Sequence, residues 1–230
     1  MNSRQFILDG EIAVKVTKRS SSRRIRLTIG SGGQVRVSIP KWVSYAAAIK
    51  FAESKQEWIK SKIPHQIPLQ PGRRVGKNHQ LVFKPTDKST ITTRLSELEA
   101  TVFYPKDKPI SDVSVQTAAK RVINKALMSQ ANKLLPIRLK QLADKYGYSY
   151  SSVQVKSLKT RWGSCDSHKN ITLNTHLMEL PWELIDYVIL HELNHTVVMQ
   201  HGPKFWGALN QKLPNYLELR KQLKSFPSSI

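Results

Sequence analysis

The chain is short of cysteine, short of acid and without a long apolar run, and each shortage narrows what it can be. A single cysteine, Cys165, among 230 residues cannot form a disulfide within the chain. That excludes a disulfide-stapled scaffold and suits a reducing compartment. No stretch approaches about 18 consecutive apolar residues, so no membrane-spanning helix is expected. The opening MNSRQFILDGEIAVKV lacks the apolar core of a signal peptide. A soluble cytoplasmic protein with no membrane partner is the expectation. Internal repeats and low-complexity tracts are also missing. With 40% hydrophobic residues, the chain can bury one substantial core, or one core and a small appended lobe.

The shortage of acid is uneven. Sixteen Asp and Glu stand against 37 Lys and Arg, for a net charge of +21. Residues 1–80 hold 16 basic side chains against 4 acidic ones, and residues 111–160 hold 9 against 2. Residues 161–230 are almost balanced, 7 against 6. Clusters such as Lys18, Arg19, Arg23, Arg24 and Arg26, with Arg73, Arg74 and Lys77, would attract a polyanion in a salt-dependent way. A nucleic-acid partner held by residues 1–80 and 111–160 is therefore one expectation, and a merely solvated basic surface is the other.

In the near-neutral segment, His191, Glu192, His195 and His201 form an HExxH motif with a third histidine six residues on. Two histidines four apart on a helix lie about 40° apart around the axis and about 6 Å along it, so both imidazoles can reach one zinc ion. Glu192 then projects beside the open position of that ion. There it can take a proton from a water whose pKa the metal lowers to about 7. With seven His and nine Glu in the chain, an accidental HExxH is expected only about 0.01 times. The apolar set Trp182, Leu184, Ile185, Val188, Ile189, Leu193 and Val197 also marks a buried core helix, which is compatible with a rigid ligand platform.

In an unbroken helix His201 would lie about 15 Å along the axis from His191, beyond a shared ion. The chain must therefore turn back before or at His201, and Gly202 and Pro203 supply a boundary directly after it. Glu218, on a later helical segment, is the alternative third ligand, set against its reading as a solvated surface carboxylate.

Periodicity orders the rest. EIAVKVTKR, RRIRLTI and QVRVSIP alternate like strands, with SGG at 31–33 as a hairpin turn, and residues 45–63 repeat at helical spacing. Residues 64–79 are rich in Pro and Gly and read as a loop or boundary. Strands follow near QLVFKP and EATVFYP. A long helix runs from Asp112 to about Tyr146, with Gly147 as terminator and Pro136 as a kink or break. Its basic face holds Lys120, Arg121, Lys125, Lys133, Arg138 and Lys140. Strands SSVQVKSL and NITLNT, the motif helix from about Trp182, and helices from Pro203 and Pro214 complete the chain. The expected class is α+β. A basic, β-rich region over 1–110 with a helix at 45–63 precedes a metal-site domain over 111–230, in which the active-site helix packs on a small sheet.

The segment Lys159-Thr160-Arg161-Trp162-Gly163-Ser164-Cys165 comes one supersecondary unit before the motif. An extended substrate could pair with its free edge. Arg161, Trp162, His176 and Tyr216 are the substrate-cleft candidates, and Arg161, His176 and Tyr216 are the available oxyanion donors. Each also has a purely structural reading, and Cys165 reads as an inert buried thiol.

Taken together, RWGSC at 161–165, ITLN at 171–174, LP at 180–181, IDYVILHELNH at 185–195, HGPKFW at 201–206 and PNYLELRKQL at 214–223 resemble the YgjP-like metallopeptidase family. The match is strongest from about residue 111. The resemblance implies a zincin-like fold and a zinc-dependent peptidase acting on protein or peptide. It implies His191, His195 and His201 as ligands and Glu192 as general base. Metzincins place a Gly where this chain has Val198, but Val198 is no departure within the YgjP-like family. Asn194, where a small residue is usual, is a departure, placed to tune hydrogen bonding around the ligands. Around its HExxH the family is also similar to SprT-type and Wss1-type proteases, which act on DNA-bound proteins; that analogy fixes no substrate. Three functions remain open: a zinc peptidase, a nucleic-acid-associated protease, and a non-catalytic binding module with a structural zinc site.

Overall fold

The computed structural model describes residues 3–9, 12–30, 33–62 and 68–226. The chain divides into two compact units, residues 1–67 and 68–230. The two compact units meet at 67/68, inside the Pro- and Gly-rich stretch 64–79. The strands between residues 74 and 105 look like the preceding ones in sequence, yet Leu81, Ala100 and Val102 share one buried cluster with residues 115–143.

In the first unit, β1 (Ser3–Leu8), β2 (Ile12–Lys18), β3 (Arg26–Ile29) and β4 (Val35–Ile39) form a sheet in the order β1-β2-β4-β3. Strand alternation makes it one-sided: Val14, Val16, Val35, Val37 and Ile39 are buried, while Lys15 and Arg36 are exposed. Strands β3 and β4 pair antiparallel, with Ile29 opposite Val35. Ser31 and Gly32 of the expected SGG turn lie outside the described residues, and Gly33 takes φ 76°.

The expected 45–63 helix is two helices, α1 (Tyr45–Glu53) and α2 (Gln56–Lys62); Ile63 lies outside the described residues. Ser44 caps α1 by accepting from the Ala47 N–H at 3.1 Å. The break falls at Ser54, whose hydroxyl donates to the Phe51 carbonyl, while the Lys55 N–H turns back to Ala52. Both helices still bury a side chain in the sheet's core, Ala48 and Ala52 from α1 and Ile59 from α2.

The second unit begins with β5 (Arg74–Val75), β6 (His79–Thr86), β7 (Thr92–Leu95) and β8 (Glu99–Pro105), in the order β5-β6-β8-β7. Its spine is α3 (Val113–Tyr146), about 50 Å long at 1.5 Å per residue. Asp112 caps it, accepting from the Ser114 and Val115 N–H groups, and Gly147 ends it at φ 72°. The helix continues through Pro136. The ring costs one backbone bond, while the flanking Leu135 and Leu139, both fully buried, hold the segment in line.

Strands β9 (Ser152–Lys156), β10 (Gly163–Cys165) and β11 (Asn170–Asn174) make a three-stranded sheet in the order β10-β11-β9, leaving β10 at an edge. A 3-10 turn (Thr175–Glu179) then leads into α4 (Trp182–His195), α5 (Pro203–Lys212) and α6 (Tyr216–Leu223). The fold is α+β, as expected. Helix α4 is buried nearly all round. It is also clamped to α3 by a two-pronged Arg138–Asp186 ion pair, with Arg138 Nε 2.7 Å from Asp186 Oδ1. Among the described residues no helix is long and apolar enough to cross a membrane.

Several expected basic clusters are engaged within this unit. Arg73 pairs with Glu179 at 3.3 Å. Lys77 donates to the Leu180 carbonyl and lies 4.9 Å above the Trp182 ring. Lys140 pairs with Asp144.

Candidate metal centre

Helix α4 carries His191 and His195 on one face and stops directly after them. The Val197 and Val198 N–H groups both close on the Asn194 carbonyl, and the Thr196 hydroxyl donates to the Leu193 carbonyl. These bonds take up the free carbonyls of the last turn. The chain then reverses, and Pro203 opens α5 at its first helical position. No residue from 196 to 201 needs a positive φ, so a β-branched Val198 fits the reversal without strain.

The reversal returns His201 to α4. His201 Nε2 lies 2.9 Å from His191 Nε2, and one ring nitrogen from each of His191, His195 and His201 falls within 4.8 Å of the others. The Val198 carbonyl, 3.3 Å away, orients His195 through Nδ1. Phe205 is the floor of the group, its ring centroid 4.6 to 4.9 Å from each imidazole. Trp206 stacks on His201 at 5.5 Å, and Tyr216 stacks on Trp206 at 5.5 Å.

These residues fit a metal ion. His191 Nε2 and His201 Nε2 are aimed at one another, and His195 offers a ring nitrogen to the same point. Burial, with His195, His201 and Arg220 nearby, pushes His191 down to about 3. Burial also lowers His195. Both rings are thus held in the neutral form that ligates. Three imidazoles are a donor set that suits zinc.

Glu192 opens onto the cleft beside this cluster, its side chain against Gly163 of β10. It is only 6% exposed. Burial pushes its carboxyl up to about 8, against a smaller pull from Arg161. It shares with His191 a cleft of about 220 Å³, walled by Arg161, Trp162, Gly163 and Tyr187. An adjoining hollow of about 380 Å³ shares Trp162, Tyr187 and Leu223 and adds Arg220 and Lys224.

Of the four cleft candidates, Arg161 and Trp162 line the cleft. Tyr216 reaches the histidines only through Trp206. His176 is buried in the 3-10 turn, its Nδ1 3.9 Å from Glu179, and is not brought to the cleft wall. Glu218 accepts from Gln222 at 3.2 Å and does not join the three-histidine group. The Cys165 thiol is half-buried. Burial, with Glu192 nearby, pushes it up to about 11, which keeps it protonated and unreactive.

Asn194 bonds neither imidazole. Its Oδ1 accepts from the Tyr148 hydroxyl at 2.9 Å, and its Nδ2 donates to the Phe205 carbonyl at 2.9 Å. It thereby ties α4 to the chain after α3 and to α5. Sequence spacing did not single out Gly163, Phe205 or Trp206 as parts of the site. The signal for them lay in RWGSC at 161–165 and HGPKFW at 201–206, two of the segments that carry the family resemblance.

A buried HExxH helix on a small sheet, with a third histidine folded back onto it, is a zincin-like centre. The chain belongs to the YgjP-like family: the family's metallopeptidase domain matches residues 23–226. Two solved structures are similar to part of the chain. The crystal structure of the metallopeptidase zymogen abylysin of Pyrococcus abyssi is 22% identical, covers 40% of this chain and 93% of that one, and has a TM-score of 0.37. That of the metallopeptidase zymogen jannalysin of Methanocaldococcus jannaschii is 25% identical, covers 40% and 97%, and has a TM-score of 0.34. No curated protein matches the chain.

Proposed function

We propose that this chain is a zinc-dependent peptidase, with His191, His195 and His201 holding the ion and Glu192 as general base. The observation that carries the reading is the convergence of three imidazole nitrogens within 4.8 Å beside a buried carboxyl that opens onto the same cleft. When bound, the ion supplies Lewis acidity, polarising the scissile carbonyl and acidifying water.

The chain's own groups supply the proton traffic and the positioning. Glu192 sits where water has little access, so its carboxylate takes a proton readily and can return it to the departing amine. Strand β10 has an unpaired edge, which suits main-chain pairing with an extended peptide. Arg161 and Trp162 precede that edge and wall the cleft. The adjoining hollow, which sets Trp162 and Tyr187 beside Arg220 and Lys224, suits an aromatic or acidic substrate side chain.

Hydrolysis of a broad peptide library by the zinc-replete protein tests this. Glu192→Gln should lower the rate by about 10³-fold or more. Equal residual hydrolysis by both proteins refutes the reading.

A further inference from the structure

The first unit carries a second concave site, unrelated to the histidines. Strand β3 is the outer strand of its sheet. Between β3 with its preceding residues and the two helices runs a groove of about 420 Å³. Ile25 and Leu27 form one wall and Phe51 and Trp58 the other, with Arg24, Arg26 and Lys55 among them. Trp58 is 45% exposed, so a large flat ring is left facing solvent in a groove rimmed by cations.

Charge singles out this groove. Residues 1–67 hold 13 Lys and Arg against 4 Asp and Glu, and Asp9 is already held by Lys60 at 2.5 Å. None of Arg24, Arg26 and Lys55 pairs with a carboxylate among the described residues. Arg73, Arg138 and Lys140 of the second unit do.

We propose that this groove binds single-stranded nucleic acid, with bases stacked on Trp58 and Phe51 and phosphates paired with Arg24, Arg26 and Lys55. Cations alternating with an exposed indole and a half-buried phenyl ring suit an unpaired strand, because its bases are free to leave their own stack. A duplex hides its base faces and would use only the cations. An acidic peptide would likewise satisfy the charges and leave the rings unused. The proposal rests on residues of the first unit alone and does not depend on the peptidase reading.

Fluorescence anisotropy with the full chain tests it, using labelled 12-mers of deoxythymidine and of uridine. Both strands should bind at 50 mM salt and weaken steeply as salt rises. Trp58→Ala should weaken binding about 10-fold, and Trp58→Phe should restore most of it. Arg24→Ala with Arg26→Ala should flatten the log–log salt slope by about 1.4, at about 0.7 for each phosphate no longer neutralised. Glu192→Gln should bind as the parent does. Trp58 is exposed and both its variants spare the core, so a melting curve matching the parent shows that the fold is intact. The proposal is overturned if neither strand binds, or if Trp58→Ala keeps full affinity. It is equally overturned if a duplex, polyglutamate or phosphatidylserine vesicles bind as tightly as the single strands.

Discussion

Gly163 of β10 lies directly against the side chain of Glu192. A Cβ built on Gly163 would sit 2.8 Å from Glu192 Cγ and 2.9 Å from Oε1. Only hydrogen leaves the carboxyl where it is, since Glu192 is buried and cannot swing into solvent. Gly163→Ala should therefore displace the carboxyl by a few tenths of an ångström or more. A turnover loss of about 100-fold is expected, with metal content unchanged, because small misplacements of a reacting group are costly. Steady-state kinetics with metal analysis checks this, and unaltered turnover would show that the contact does not position Glu192.

Asn194 acts at a distance from the imidazoles. Its amide joins the Tyr148 hydroxyl to the Phe205 carbonyl at 1% exposure. Asn194→Leu should leave both partners unsatisfied and cost about 1–3 kcal/mol of stability. It should also loosen the α5 entry that carries His201. Zinc affinity in a chelator competition should fall about 10-fold or more, as when a group that supports a metal ligand is removed.

The metal-free protein should carry a stability signature from Glu192. Its carboxyl is raised from an ordinary 4.5 to about 8 by burial. Between those values the folded chain holds a proton that the unfolded chain has lost, so this contribution is full below about 4.5 and disappears as pH rises through about 8. His191 works the other way: lowered to about 3, it makes stability rise with pH between about 3 and 6.5. Glu192→Gln removes only the first slope. Thermal melts in chelator should show that variant matching the parent near pH 4 and gaining on it between about pH 4.5 and 8, by on the order of a few kcal/mol in all.

Much of this was legible in the chain, because local rules decide it. The alternation through Val14 and Val16 gave a one-sided strand, and the Asp112 and Gly147 signals bounded α3. The separation of His191 and His201 along a continuous helix, about 15 Å, required a reversal, and the structure contains one. What escaped the sequence depends on distant contacts. Strands β5 to β8 look like the basic strands before them, and only their burial against α3 assigns them to the second unit. The break at Ser54 turns on its hydroxyl bond back to the Phe51 carbonyl, and the continuity through Pro136 on the buried Leu135 and Leu139. Gly163 and Glu192 stand far apart along the chain, and no spacing rule reaches from one to the other.

Zinc K-edge absorption on the loaded protein tests the central claim most directly, compared between the parent and His201→Ala. The expected result is one zinc per chain, three imidazole nitrogens, and a remaining position filled by solvent that an added hydroxamate replaces, with one imidazole lost in His201→Ala. Four protein ligands with no exchangeable position, or an unchanged spectrum in His201→Ala, would contradict it.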